Sequence, residues 1–340
     1  MYKGRLAYSL LLFVWISFTS CEVDHDIPEE EPLIAIPAGF PDVLFPEDNA
    51  FTPERWALGK QLFFDPALSR DSTLSCADCH RPELAFTDGR TIAIGIEGRQ
   101  GMRNVPTLTN VAYQPYYLFE GGVPTLEMQI LVPVQEHAEF DFNILRVADR
   151  LNLQPAYVAS SWEAYGRHPD PFVITRAIAM YERSLISGQS RYDAYVQGDH
   201  NALSETEKQG MDLFFSERTH CSACHAGIYF TDYSFKNNGL YENYEDPGRF
   251  RLTGAESDIA LFKVPTLRNV ALTGPYMHDG SLASLEDVIH HYVSGGKQHP
   301  HRSPLIQPLD LNESEQKALR KFLEALTDQS FVTNIKFLNQ

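Results

Sequence analysis

The chain has 340 residues, and its 45 acidic and 28 basic side chains leave a net charge of −17. A composition of 43% apolar and 21% charged residues is globular, and the length allows two ordinary domains or one large one. The negative balance argues against nucleic acid or an anionic lipid surface as main partner, and five cysteines are too few for a disulfide-stapled scaffold of this size.

Residues 1–20 read as an address. Lys3 and Arg5 are basic, Leu6 to Phe18 is uncharged and mostly apolar, and Thr19 and Ser20 are small residues before Cys21. This is the layout of a secretory signal, too short to span a bilayer as a helix. A small-residue site ending on cysteine resembles a bacterial lipoprotein signal. It implies an exported protein on the periplasmic side, anchored to a membrane through lipid on Cys21. Residues 21–50, acidic and proline-containing, read as a solvated tether. No later stretch is long and apolar enough to cross a bilayer.

Helical signals follow in order. Thr52 as N-cap with Pro53 behind it opens a helix through Phe64. Residues 171–187 carry Ile174, Ile178, Tyr181 and Leu185 at helical spacing. Gly198 and Asn201 mark a boundary, after which Ser204-x-x-Glu207 is a capping box. Asn312-x-x-Glu315 starts a further helix with Leu319, Phe322, Leu323 and Leu326 on one face. Strand signals are sparse. The reading is all-α with long irregular loops, divided into domains 51–198 and 199–330 and a tail 331–340.

Four of the five cysteines fall in two copies of one motif, Cys76-Ala77-Asp78-Cys79-His80 and Cys221-Ser222-Ala223-Cys224-His225. C-x-x-C-H is the attachment site of c-type haem. Two thiols reach the two vinyl groups of one porphyrin, and the next residue places an imidazole nitrogen on the iron. A redox C-x-x-C lacks the histidine and sits in a βαβ unit, and a zinc site would leave both histidines idle. A disulfide across three residues would stabilise little. The motifs predict two covalent haems.

Both motifs sit in an internal repeat. Gly59-x-x-Leu62-Phe63-Phe64 answers Gly210-x-x-Leu213-Phe214-Phe215, and Phe86-Thr87-Asp88 answers Phe230-Thr231-Asp232. Val105-Pro106-Thr107-Leu108-x-Asn110 answers Val264-Pro265-Thr266-Leu267-x-Asn269, and Glu120-Gly121 answers Asp279-Gly280. Leu126-Glu127 answers Leu285-Glu286, and the second half has a longer loop near 243–256. The expectation is two cytochrome c-like haem domains related by duplication.

The stretches Leu68 through His80, Met102-Arg103-Asn104-Val105-Pro106-Thr107, and Lys263 through Thr273 with Pro275-Tyr276-Met277-His278-Asp279-Gly280 resemble the bacterial dihaem cytochrome c peroxidases and their relative MauG. The resemblance covers roughly residues 51–330. It implies a peroxidase that reduces hydrogen peroxide at the N-terminal haem, with electrons relayed through the C-terminal haem. His80 and His225 would be the axial ligands on the attached side. Gln129, Pro133 and Glu139 match the family's distal residues, Glu139 being the catalytic acid, with His137 as the competing group. No histidine lies between His80 and His137, which resembles MauG and implies an open first iron. Fourteen residues beyond His278, Tyr292 stands where MauG has its tyrosine ligand, with His290, His291 and Met277 as competitors.

Other positions follow from the same resemblance. Phe119 replaces the inter-haem tryptophan, which puts fast electron sharing in doubt. A calcium site is implied at the Asn104 side chain with backbone oxygens of Thr273 and Pro275. The electron source would be a small redox protein, cytochrome c or cupredoxin, and a homodimer is one possible assembly. Two other readings compete. One is a MauG-type oxidase acting on an aromatic residue of a partner protein, and the other is a noncatalytic electron-transfer dihaem cytochrome.

Overall fold

The computed structural model describes Met1 and residues 32–339, so the signal segment and Cys21 lie outside the described residues. The chain divides into Met1–Pro32 and Leu33–Gln340, and all the elements below belong to the second unit. The fold is mostly helical. Among the described residues the one ladder is two residues long, Phe235–Lys236 antiparallel to Phe262–Lys263. No helix among them is long and apolar enough to cross a membrane.

Two helix pairs organise the molecule. Helix Pro53–Phe64 starts where Thr52 accepts from the Arg55 amide at 3.2 Å. It packs on helix Pro171–Glu182, whose N-cap Asp170 accepts from Val173 N at 2.9 Å. Gly59 makes that crossing possible, because a Cβ there would stand 1.8 Å from the Ala177 carbonyl oxygen. Helices Glu205–Phe215 and Glu313–Ala325 repeat the arrangement, each with its capping box, and a Cβ on Gly210 would stand 1.9 Å from Ala318 O. Each pair closes over its own apolar core. Leu62, Phe63, Phe86, Ile178 and Tyr181 fill the first, and Phe214, Phe230, Leu319, Phe322 and Leu326 the second.

The helix expected over 171–187 ends at Glu182. Beyond it the chain turns to meet Asn110, whose amide donates to Leu185 O at 2.8 Å and whose carboxamide exchanges two 2.9 Å bonds with the Ser187 backbone. These tertiary bonds win over continued helix. Asn269 does the same for the other pair, with Leu326 O at 3.1 Å and the Asp328 amide at 2.7 Å. Left-handed residues recur at matching places too, Phe86 with Phe230, Asn110 with Asn269, and Leu118 with Met277. Helices Ile144–Asn152 and Pro155–Tyr165, which the sequence reading did not identify, precede Pro171–Glu182 in the chain.

The tether reading needs correction for residues 33–50. Val43 and Asn49 are buried, and the Asn49 amide reaches Arg176 O at 2.9 Å. Pro37 and Phe40 pack on Gly188, where a Cβ would meet them at 2.7–2.8 Å. The apolar residues of this stretch outweigh its acidic surface. The last residues are likewise docked, with Phe331, Val332 and Phe337 buried in the first core against Phe86.

Arg268 is among the largest fully buried side chains. It makes a bidentate pair with Asp193 at 2.8 and 2.9 Å and donates to Ile228 O at 2.6 Å. Removing one partner of such a pair strands the other charge in the interior. Arg268→Met is therefore expected to cost about 3–5 kcal/mol in urea unfolding, and a loss near zero would contradict that role.

Candidate active site

The first motif is folded by its own neighbours. Ser75 and Asp78 form a capping box with two 2.7 Å bonds, and this opens the single helical turn Cys76–Cys79. The His80 amide closes that turn on Cys76 O at 2.8 Å. His80 Nδ1 faces Phe86 O at 2.9 Å. That bond puts the proton on Nδ1 and leaves Nε2 as the free ligand atom. Burial lowers the His80 imidazole to about 4, so it stays neutral, as an iron ligand must be. In the second motif His225 N reaches Cys221 O at 3.0 Å, and His225 Nδ1 faces Phe230 O at 3.1 Å and Pro265 O at 3.2 Å. All four cysteines are thiols rather than disulfides. The thiol pairs and the imidazoles held at Nδ1 fit c-type haem at both motifs.

A cavity joins the first motif to the predicted distal residues. Cys76, Cys79 and His80 line it together with Gln129, Pro133 and Glu139. Gln129 ends helix Leu126–Gln129, which is pinned from behind by buried Glu127 on Arg183 at 2.6 and 3.1 Å. Pro133 lies in helix Leu131–Gln135, and its carbonyl accepts from Phe140 N at 3.2 Å. Glu139 is fixed by its backbone, which receives Ile96 N at 3.0 Å. Gly95 permits this contact, since a Cβ there would stand 2.1 Å from Ala138 O. Burial pushes the Glu139 carboxyl up to about 7, and the negative charge of Glu136 adds to the effect.

His137, the competing distal group, is at the surface. Its side chain is 73% exposed and faces Asp141 at 3.3 Å, inside an ion network with Arg70, Arg99 and Glu97. Glu182 is a residue of the cavity that the sequence did not single out. It is fully buried, its Oε2 lacks a hydrogen-bond partner, and burial pushes it up to about 8. A glutamate at a helix end carries no mark of this in the sequence.

Around the second motif, Tyr292 neighbours Cys221 and Cys224, and burial pushes its phenol up to about 12 against the opposing effect of a hydrogen bond with Asn238. His290 points to solvent. His291 Nε2 is taken by Asn238 O at 3.0 Å, and Met277 Sδ accepts from Asn238 Nδ2 at 3.1 Å. Phe119 sits between the halves, its carbonyl receiving Lys263 N at 2.7 Å and its ring lying 5.6 Å from the Arg103 guanidinium. Asn104 N donates to His278 O at 2.8 Å, and its side-chain nitrogen donates to Arg90 O at 2.7 Å. Among the described residues no cluster of three or more His, Cys, Asp or Glu could hold a metal ion.

The sequence profile of the di-haem cytochrome c peroxidase family matches residues 53–201. The methylamine utilization protein MauG of Methylorubrum extorquens is 36% identical over 308 residues, 87% of this chain and 86% of that protein. The chain belongs to the dihaem cytochrome c peroxidase/MauG family. The cytochrome c551 peroxidase of Nitrosomonas europaea is 34% identical over 85% of this chain and 84% of its own length. A solved MauG-like protein associated with microbial copper homeostasis superposes with a TM-score of 0.84 at 34% identity, covering 89% of this chain and 97% of that one. As a member of this family the chain is an oxidoreductase of the peroxidase type, and its two C-x-x-C-H motifs account for two haems.

Proposed function

We propose that the chain reduces hydrogen peroxide at the haem held by Cys76, Cys79 and His80, with electrons relayed through the haem held by Cys221, Cys224 and His225. The observation that carries this reading is the single cavity in which the first motif meets Gln129, Pro133 and a carboxyl held near neutrality. When bound, the haems supply the redox chemistry that takes peroxide to water. Glu139 takes a proton from one peroxide oxygen on its carboxylate and returns it to the other as the bond breaks. Gln129 holds the substrate by its amide. Pro133 contributes an apolar wall with no N–H donor.

Tyr292 would be the sixth ligand of the second haem, which places the chain in the MauG-like branch. A phenolate favours ferric iron, and a neutral thioether favours ferrous. Tyr292→Met is expected to raise the potential of the second haem in a redox titration; unchanged potentials would return the assignment to His291 or Met277. A MauG-type oxidation of a partner's aromatic residue is the second reading, favoured by the same tyrosine and by the 36% identity to MauG. We also read residues 51–198 and 199–330 as duplicated haem domains, supported by the matched glycines, asparagines and left-handed residues. Asn104 Oδ1 with the Thr273 and Pro275 carbonyls would suit calcium, a hard oxygen-liking cation. Cys21 would bear a lipid anchor on the periplasmic side.

The test is turnover. Peroxide should oxidise a reduced small cytochrome c in the presence of the purified dihaem protein. A protein that exchanges electrons with that cytochrome yet leaves peroxide unconsumed would be a carrier, not a peroxidase.

A further inference from the structure

The position between the halves is poorly suited to oxidation. Phe119 has a phenyl ring in place of an indole, and the Arg103 cation lies 5.6 Å from it and 5.8 Å from Phe262. Arg103 is locked there by Asp246 at 2.7 and 3.0 Å and by Glu120.

Tyrosines form a second line nearby. The Tyr233 carbonyl accepts from the hydroxyl of Tyr116. Tyr233 lies 6.4 Å from Tyr229, and Tyr229 stacks on Tyr113 at 4.8 Å with 24° between the planes. Tyr229 immediately precedes Phe230, whose carbonyl faces His225 Nδ1. Tyr113 ends the line, its hydroxyl donating to Pro41 O at 3.0 Å beside exposed Asp42.

The Tyr229 hydroxyl is buried without a hydrogen-bond partner, a cost that phenylalanine would avoid in the same space. A phenol ring gives up an electron more readily than a phenyl ring, and packing alone does not call for the hydroxyl. The Arg268 charge near Tyr229 is offset by its bidentate pairing with Asp193.

We propose that Tyr233, Tyr229 and Tyr113 form a path for oxidising equivalents from the haem site at His225 to the surface, with Tyr113 as the residue where the oxidation comes to rest. The proposal rests on the peroxidase reading, because peroxide is the oxidant. In the step, Tyr113 loses one electron, which travels inward through Tyr229 and Tyr233 and reduces an oxidised haem by one equivalent. The phenolic proton leaves to solvent water at the exposed Pro41 edge where the hydroxyl lies. Tyr113 is left as a neutral phenoxyl radical. Tyr229, whose hydroxyl is buried and unpartnered, has no such outlet and serves only for transit.

The test adds one equivalent of peroxide to the oxidised dihaem protein without donor, reading haem spectra and the organic radical by electron paramagnetic resonance. The parent and a Tyr195→Phe control should give a tyrosyl signal. Tyr113→Phe should lose it, and Tyr229→Phe should delay it while folding normally, since only an unpaired hydroxyl is removed. A haem that responds to peroxide with no tyrosyl radical, or with the same radical in Tyr113→Phe, would overturn the path. A haem that does not respond means that the peroxidase reading has failed. The reduced protein is then oxidised by photogenerated ruthenium(III) tris(bipyridine). Slower haem oxidation in Tyr113→Phe and Tyr229→Phe would uphold the path, and equal rates would overturn it.

Discussion

Replacing Cys76 and Cys79 together with alanine is expected to leave one covalent haem and abolish the reaction with peroxide. Both thiols, with His80, line the cavity that also holds Glu139, so the loss falls on the site assigned to chemistry. The second motif lies in the other core and is folded by separate bonds to Phe230 and Pro265, so its haem should still attach with an unchanged spectrum. The mirror variant, Cys221 and Cys224 to alanine, should keep peroxide reactivity and lose the relay. Haem staining after denaturing electrophoresis, together with intact mass, counts the haems. Peroxide reactivity surviving the first replacement would move the catalytic site to the other half.

Glu139→Gln is expected to slow peroxide cleavage roughly 10²–10⁴-fold, the range for a lost acid–base group, with both haems attached. The amide keeps the side chain's size and cannot exchange a proton. Because the carboxyl sits near 7, its ionised fraction falls as pH drops below that value. The parent's rate should climb with pH and level off above about 7, and the variant's profile should be flat there. The sign for stability is opposite. A carboxyl raised from 4.5 to about 7 in the fold favours the protonated form, so its contribution is fully present below the unfolded value and lost as pH rises through 7. The form needed for chemistry is thus the one that the fold favours less. His137→Gln, at an exposed position outside the cavity, should leave the rate unchanged.

Local signals in the sequence carried well. Thr52 with Pro53, Ser204 with Glu207, and Asn312 with Glu315 each start a helix where their hydrogen bonding dictates. The spacing of Cys76, Cys79 and His80 was legible because covalent geometry leaves it little choice. That Gln129, Pro133 and Glu139 gather beside the first motif was legible only by resemblance, since each alone reads as an ordinary polar or helical residue.

What was lost depends on distant partners. Residues 33–50 look like a solvated tether until Pro37 and Phe40 find Gly188 and Asn49 finds Arg176. The helix from Pro171 stops early because Asn110, far away in the chain, claims Leu185 and Ser187. Glu182 and Arg268 acquire their roles only through burial, which a charged residue does not announce. His137 and Glu139 differ by two positions in sequence, and backbone packing at Gly95 decides which side chain enters the cavity.

The most direct test is the resting oxidised protein, examined by electron paramagnetic resonance and then exposed to peroxide without prior reduction. The first iron is assigned no second histidine, since none lies between His80 and His137. The account predicts one high-spin and one low-spin ferric haem and an immediate spectral response to peroxide. Two low-spin ferric signals, with reactivity appearing only after half-reduction, would contradict it.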